Sequence, residues 1–344
     1  MRQDFKPELV AMNVGSLPHT DTKEACHVIR RHFPELPSWP QLPKRSYLEN
    51  MYVQFSEGFP GIVVEEDRVY VDRSRDLSQD LESLYQAYLE SDVDAYGFGP
   101  TFAAGLVEWA KGEFNSCKAV KGQVTGPISW GLTVLDHERR PILYDEVLAD
   151  AVAKHLRLKA AWQERELRRS HPTTIVLLDE PYMASFGSPY VAVTREQAIA
   201  LIDEVLGGIE GLKGIHCCGN TDWSLILSTS ADVLSFDTYD YAESLSLYPA
   251  EVDRFLRRGG IIAWGIVPRE TRSLEQETAA NLAERLCQAM HLLVKKGICF
   301  DDLLAASLVS PSCGLGTMTV EDAQRALALT TGVSREMRKR YLLS

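Results

Sequence analysis

Two short stretches of this 344-residue chain bring together residues with affinity for soft metal ions: His216-Cys217-Cys218-Gly219-Asn220 and, far downstream, Ser312-Cys313-Gly314. An imidazole and a thiolate two positions apart, joined by a second thiolate from a later element, supply three ligands of a tetrahedral zinc site. Asp237, if it lies one strand over, completes a carboxylate, imidazole and dithiolate set. A centre of this kind with an exchangeable position can take up a substrate thiol. The metal charge then holds that sulfur as a thiolate at neutral pH, as zinc does for a bound water. The chemistry that follows is alkyl transfer to sulfur.

The remaining cysteines read differently. On a strand, alternation turns Cys217 away from its two neighbours and into the packing behind the sheet. Cys26, Cys117, Cys287 and Cys299 sit among apolar residues and are expected to be small buried hydrophobes. Seven cysteines is an odd number, which argues against a disulfide framework.

These groups need a scaffold that carries polar strand ends to one place. Strands are expected at Ala11–Ser16, Ser38–Leu42, Ala119–Thr125, Thr173–Asp179, Gly211–Cys217, Asp232–Asp237, Ile261–Ile266 and Ala306–Ser310. Amphipathic helices lie between them, among them Tyr144–Arg169, Arg195–Leu206, Pro249–Arg258 and Glu275–Lys296. Alternation of this kind predicts an α/β fold, a single (β/α)8 TIM barrel spanning residues 1–344. A β-hairpin insertion is expected over Ile62–Asp72. The second strand is the weakest, because three prolines crowd Pro37–Pro43. No GxGxxG follows an early strand, so the dinucleotide fingerprint is missing.

Barrel chemistry sits where strands end, and polar motifs fall at those places repeatedly. Gly15-Ser16 ends the first strand, Thr125-Gly126-Pro127 the third, Asp179-Glu180-Pro181 the fourth and His216-Cys217-Cys218 the fifth. Asp237 ends the sixth, and Cys313 follows the eighth. Asp179-Glu180 either caps the next helix or binds the amino group of a small zwitterion. The Ser16 hydroxyl and neighbouring amides could hold a carboxylate. His19 is expected to be a solvated loop histidine, and Trp39, Trp130, Tyr239 and Trp264 to be core.

Composition limits the partners. Hydrophobic residues make up 45% and charged residues 24%, with a formal net charge of −12, which argues against a backbone-binding nucleic-acid protein. No apolar run approaches membrane-spanning length, and MRQDFKPELV carries no signal core, so a cytoplasmic protein is expected. Arg257-Arg258 and Arg335 to Arg340 are expected to complement helix C-termini.

The motifs VGSLPHT, VKGQVTGPIS, LLDEP, HCCGN, ADVLSFD and PSCGLGT, in that order, resemble the catalytic barrel of the cobalamin-independent methionine synthases, within the uroporphyrinogen decarboxylase-like superfamily. The resemblance covers nearly the whole chain. Its specific part is HxC followed by the late Cys-Gly, and HxCGN also resembles zinc methyltransferases that take a methyl group from a corrinoid. The resemblance implies that His216, Cys218 and Cys313 hold Zn2+, with Asp237 where the family has a glutamate ligand. It implies that Ser16 and Asp179, with their neighbours Gly15 and Glu180, hold the backbone groups of homocysteine.

Two departures stand out. The full-length enzymes have a second, N-terminal barrel half, for which this chain has no room. They also carry a histidine after the seventh strand, where this chain reads Trp264-Gly265-Ile266-Val267-Pro268. Both missing features serve folate. The expectation is therefore a short core form that makes methionine from a methylcorrinoid, free or on a corrinoid protein. The rivals are a methyltransferase to another thiol of the coenzyme M type, a porphyrinogen decarboxylase using Lys44 and Arg45, and a non-catalytic zinc or corrinoid binder.

Overall fold

Runs such as TIVLLD and IIAWGIV offer no polar face to water, the mark of strands covered on both sides. The computed structural model describes residues 5–189 and 191–342; the remaining positions of the expected 1–344 domain, including the first four of the N-terminal stretch, lie outside the described residues. The strands are β1 (Val10–Ala11), β2 (Ile62–Val64), β3 (Val69–Val71), β4 (Val120–Thr125), β5 (Leu135–Asp136), β6 (Thr174–Asp179), β7 (Leu212–Cys217), β8 (Val233–Asp237), β9 (Ile261–Val267) and β10 (Ser307–Pro311). Seven of them form one curled parallel sheet in the order β1-β10-β9-β8-β7-β6-β4, with helices in the connections, an α/β fold consistent with a TIM-like barrel.

The expected second strand, Ser38–Leu42, is a correction. It makes only isolated parallel bridges, Ser38 to Lys121 on one side and Gln41 to Ser16 on the other. Pro37, Pro40 and Pro43 remove three backbone donors, which leaves too few ladder bonds for a regular strand. Trp39 N still donates to Lys121 O at 3.3 Å and Gln41 N to Gly15 O at 3.2 Å, so the segment bonds to both edges of the sheet. The first strand is also shorter than expected, two residues at β1. The hairpin over Ile62–Asp72 is present: β2 and β3 pair antiparallel, and β3 lies parallel to β5.

Strand alternation divides the sheet into two faces. Val176, Leu178, Ile215, Cys217, Leu234, Phe236 and Trp264 pack outward under the helices. Ile175, Leu177, Leu212, Val233, Ile261, Ala263 and Leu308 form a separate inner cluster. Counting on by twos from that inner cluster reaches Asp179, His216, Ser235, Asp237 and Ser310, all buried. The hollow side of the sheet is therefore apolar toward the strand N-termini and polar toward their C-termini. That gradient places the chemistry.

The 23-residue helix Glu146–Arg168 is capped by Asp145, whose side chain accepts from Leu148 N, and packs its Leu148, Val152 and Leu156 face onto the core. Arg338, Lys339 and Arg340 lie in the last turn of Val320–Tyr341, as the helix dipole favours. Among the described residues no helix is long and apolar enough to cross a membrane. Cys26 and Cys287 are buried as expected, Cys117 is half-buried, and Cys299 is exposed because it precedes the short helix Phe300–Ala305 at the surface. Trp39, Trp130 and Trp264 are core, and His19 is buried rather than solvated.

Candidate metal centre

His216 projects inward from β7, in register with Asp179 on β6 and Ser235 on β8. Its Nδ1 pairs with Ser235 Oγ at 2.9 Å, while its Nε2 is buried without a partner. Cys218 lies one residue past β7, and Cys313 two residues past β10. The ligand atoms of His216, Cys218 and Cys313 all lie within 4.8 Å of one another. Ligand atoms about a tetrahedral zinc are separated by roughly 3.5–3.8 Å, given bonds near 2.3 Å to sulfur and 2.0 Å to nitrogen. The trio thus fits a zinc ion after a small contraction. The unpaired Nε2 is the atom such an ion would complete, and Ser235 fixes the ring from behind. Ser235→Ala is expected to weaken zinc binding roughly 10- to 100-fold in a chelator competition while leaving the fold intact.

Cys313 reaches the other two ligands because the backbone bends there. The β9–β10 register shifts between Ser310 and Pro311, and a Cβ on Gly265 would stand 2.9 Å from Ser312 Cα. The glycine on β9 lets the Cys313 loop lean over the mouth of the sheet. On its far side the loop is held by the segment that follows β1: Leu315 N donates to Ser16 O at 3.0 Å and Gly316 N to Ser16 Oγ at 3.2 Å. A side chain at Gly314 would meet Ser16 Oγ at 2.4 Å and so would turn that hydroxyl away from Gly316 N.

The charges around the trio are unusual for a buried place. A hydrogen bond from Cys313 pulls the Cys218 thiol down to about 4 against the cost of burial, helped by His216 and by the charge of Arg269. The same contact and burial push the Cys313 thiol up. Burial raises Asp179 to about 6, with His216 and Lys121 working against it. Burial likewise lowers Lys121 to about 8 while Asp179 opposes. Lys121, on β4, donates to Val14 O at 2.5 Å and Gln123 Oε1 at 3.0 Å beneath the site.

A cavity of ≈ 220 Å³ opens beside the trio, lined by Ser16, Glu49, Asp179, His216, Cys218, Arg269, Cys313 and Gly314 among others. Asp179 Oδ1 and Glu49 Oε2 are both buried without a hydrogen-bond partner. The structure therefore brings together Ser16, Asp179, His216, Cys218 and Cys313. It holds three expected residues apart from the cavity. Gly15 lies just beneath, where a Cβ would press on the Gln123 side chain at 2.8 Å. Glu180 faces away, its carboxylate accepting from Ile128 N at 2.9 Å, Ser129 N at 2.8 Å and Ser129 Oγ at 2.6 Å. Asp237 caps the helix Thr238–Leu245 through Asp240 N at 3.0 Å and stands outside the trio, its carboxyl raised to about 7 by burial. His19 is buried 3.9 Å from Glu24 and does not line the cavity.

Sequence reading missed Glu49 and Arg269. Glu49 ends the 3-10 turn Tyr47–Glu49, and its other oxygen takes a 2.6 Å bond from Arg45 Nη1. Arg269 follows β9 in the stretch where the expected histidine was lacking.

Solved structures share this arrangement of elements. A B12-independent methionine synthase from Shewanella sp. W3-18-1 in complex with selenomethionine matches with a TM-score of 0.59 at 15% identity, covering 98% of this chain and 100% of that one. The two chains share a fold over their whole length. A methyltransferase from Methanosarcina mazei matches with a TM-score of 0.55 at 12% identity, over 96% of this chain and 94% of that one. No family model and no curated protein matches the chain. At these identities the methionine synthase likeness is one of fold, and the site must be argued from its own atoms.

Proposed function

We propose that the protein is a zinc-dependent methyltransferase that converts homocysteine to methionine, with a methylcorrinoid as methyl donor. One observation carries this reading: three soft ligand atoms, one a buried unpaired imidazole nitrogen, face the same ≈ 220 Å³ cavity as two buried carboxylates with unpaired oxygens. His216, Cys218 and Cys313 would hold the ion. When bound, zinc supplies the charge that keeps a substrate sulfur ionised at neutral pH.

The chain's own groups position the rest. Asp179 Oδ1 and Glu49 Oε2 accept from the substrate ammonium, which satisfies both orphaned oxygens. Ser16 Oγ already accepts from Gly316 N, so its hydroxyl hydrogen is free to donate to the substrate carboxylate. Gly15 and Glu180 act at one remove, the first by giving the Gln123 side chain room and the second by fixing the backbone after Asp179. Held in line, the thiolate forms the S–CH3 bond as the cobalt–carbon bond breaks, the bonding pair stays with cobalt, and the thiol proton leaves to solvent. Alignment of two bound reactants contributes on the order of several kcal/mol. The reading takes the scaffold as a closed (β/α)8 barrel, with residues 38–41 as its eighth position.

Other readings fit the atoms less well. A porphyrinogen decarboxylase needs free cations for the acidic substituents of its substrate. Lys44 is spent on Met318 O at 2.5 Å and Arg45 on Glu49, so neither is free for acidic substituents. A thiol lacking an amino group would leave Asp179 and Glu49 unmatched. The selenomethionine in the Shewanella protein supports an amino-acid thioether as product.

The test is methionine formation by the zinc-loaded protein from homocysteine, with methylcobalamin and 5-methyltetrahydrofolate in separate reactions. Methionine is expected from methylcobalamin and none from the folate. Turnover that survives complete zinc removal would overturn the scheme, and turnover with the folate alone would overturn the donor.

A further inference from the structure

Arg269 is the cation that none of the roles above employs. It sits two residues past β9, is exposed, and is the single Lys or Arg among the residues that line the cavity. Among the described residues no hydrogen bond or ion pair occupies its guanidinium. Neighbouring cations are engaged: Lys44 on a backbone carbonyl and Arg45 on Glu49. Arg269 lines the same cavity as His216, Cys218 and Cys313.

The cavity thus holds two carboxylates with open oxygens, a metal-binding trio, and one unmatched cation. A ligand that complements all three carries an ammonium, a soft nucleophile and an anion. Ser16 can donate one neutral hydrogen bond to that anion, but no neutral donor balances its charge. A guanidinium does, and its planar fork matches a carboxylate.

We infer that Arg269 binds the carboxylate of the thiol substrate and thereby restricts the acceptor to amino-acid thiols. The inference rests on the reading of this cavity as a thiol site. Discrimination comes from the charge: a thiol amine without a carboxylate gains nothing from Arg269, and a carboxylated thiol loses a charge-assisted pair when the guanidinium is removed.

The experiment is calorimetric binding of two thiols to the zinc-loaded protein, wild type and Arg269→Ala. One thiol is homocysteine; the other is 3-aminopropane-1-thiol, which differs only in lacking the carboxylate. Arg269→Ala is expected to weaken homocysteine roughly 10- to 100-fold and to leave the amine thiol within about threefold, as side-chain removal at an exposed rim position does elsewhere. Arg269→Lys should recover part of the loss. Equal weakening of both thiols would overturn the inference, since Arg269 would then only balance the charge of the metal centre. Unchanged homocysteine binding would overturn it too. If the wild type binds neither thiol, the thiol-site reading falls, and this inference falls with it. Zinc stoichiometry and the thermal midpoint of each variant separate these results from misfolding.

Discussion

Cys218→Ser and Cys313→Ser are each expected to lose zinc affinity by roughly 10²- to 10⁴-fold. A tetrahedral protein zinc site is worth about 10–16 kcal/mol in all, and one thiolate of a three-residue set carries a share of about 3–5 kcal/mol of that. A serine hydroxyl in the same place is a poor ligand, because it does not ionise near neutral pH. The two substitutions should also be non-additive: either one destroys the trio, so the double variant should lie close to the singles. Competition against a chromophoric chelator gives the affinities directly. Cys217→Ser is the control. Its thiol is buried, pushed up to about 12 by burial, and packed outward in the apolar cluster. That variant should lose stability and keep its zinc. A Cys217 variant that lost zinc while Cys218→Ser kept it would sink the assignment.

The second large effect is expected at Glu180, and it is structural. The helix Pro127–Thr133 begins with Gly126 at its cap and Pro127 at its first position, so it has no side-chain cap of its own. Glu180 supplies the missing acceptors from another strand end. Its fully buried carboxylate takes both Ile128 N and Ser129 N, and Ser129 Oγ in turn accepts from Tyr182 N at 3.0 Å. Glu180→Ala takes the acceptor from three buried donors, two backbone amides and the Ser129 hydroxyl, a loss on the order of 3–4 kcal/mol. Glu180→Gln keeps one carbonyl oxygen and should recover about half. Urea unfolding of the three proteins checks this, and a midpoint for Glu180→Ala equal to wild type would refute it.

The contrast between Asp179 and Glu180 shows how far sequence carries. Both were read as candidates for one ammonium, yet adjacent residues at a strand end point to opposite faces. Asp179 continues the inner series Ile175, Leu177; Glu180 does not. Counting parity would have separated them. The same parity turns His216 inward and Cys217 outward, since the two alternate on a regular strand. Asp237 shows what parity alone does not give. Its parity is inward, but the next residues open a helix, and an aspartate before a helix spends its carboxylate on the cap.

Glu49 and Arg269 were invisible for a different reason. Neither belongs to a strand, and the turn and loop that bear them have no periodicity to read. Their chemistry appears only when residues far apart in sequence meet around one hollow. The proline-rich segment near residue 40 shows a milder version, because its bridges depend on partners on both sides rather than on its own pattern.

The bond from Gly316 to Ser16 joins residues 300 apart in the chain. Its consequence concerns when the protein can acquire a metal. Until the last strand has settled beside the first, the loop bearing Cys313 is held on its β9 side alone, through Ser312 N to Val267 O, and a half-folded chain presents His216 and Cys218 with a loosely placed third sulfur. Two ligands hold an ion weakly and exchange it readily with competing thiols. Non-local pairing of this kind forms late, so tight metal retention would serve as a molecular receipt for completed folding, issued only after the two ends of the sequence have found each other.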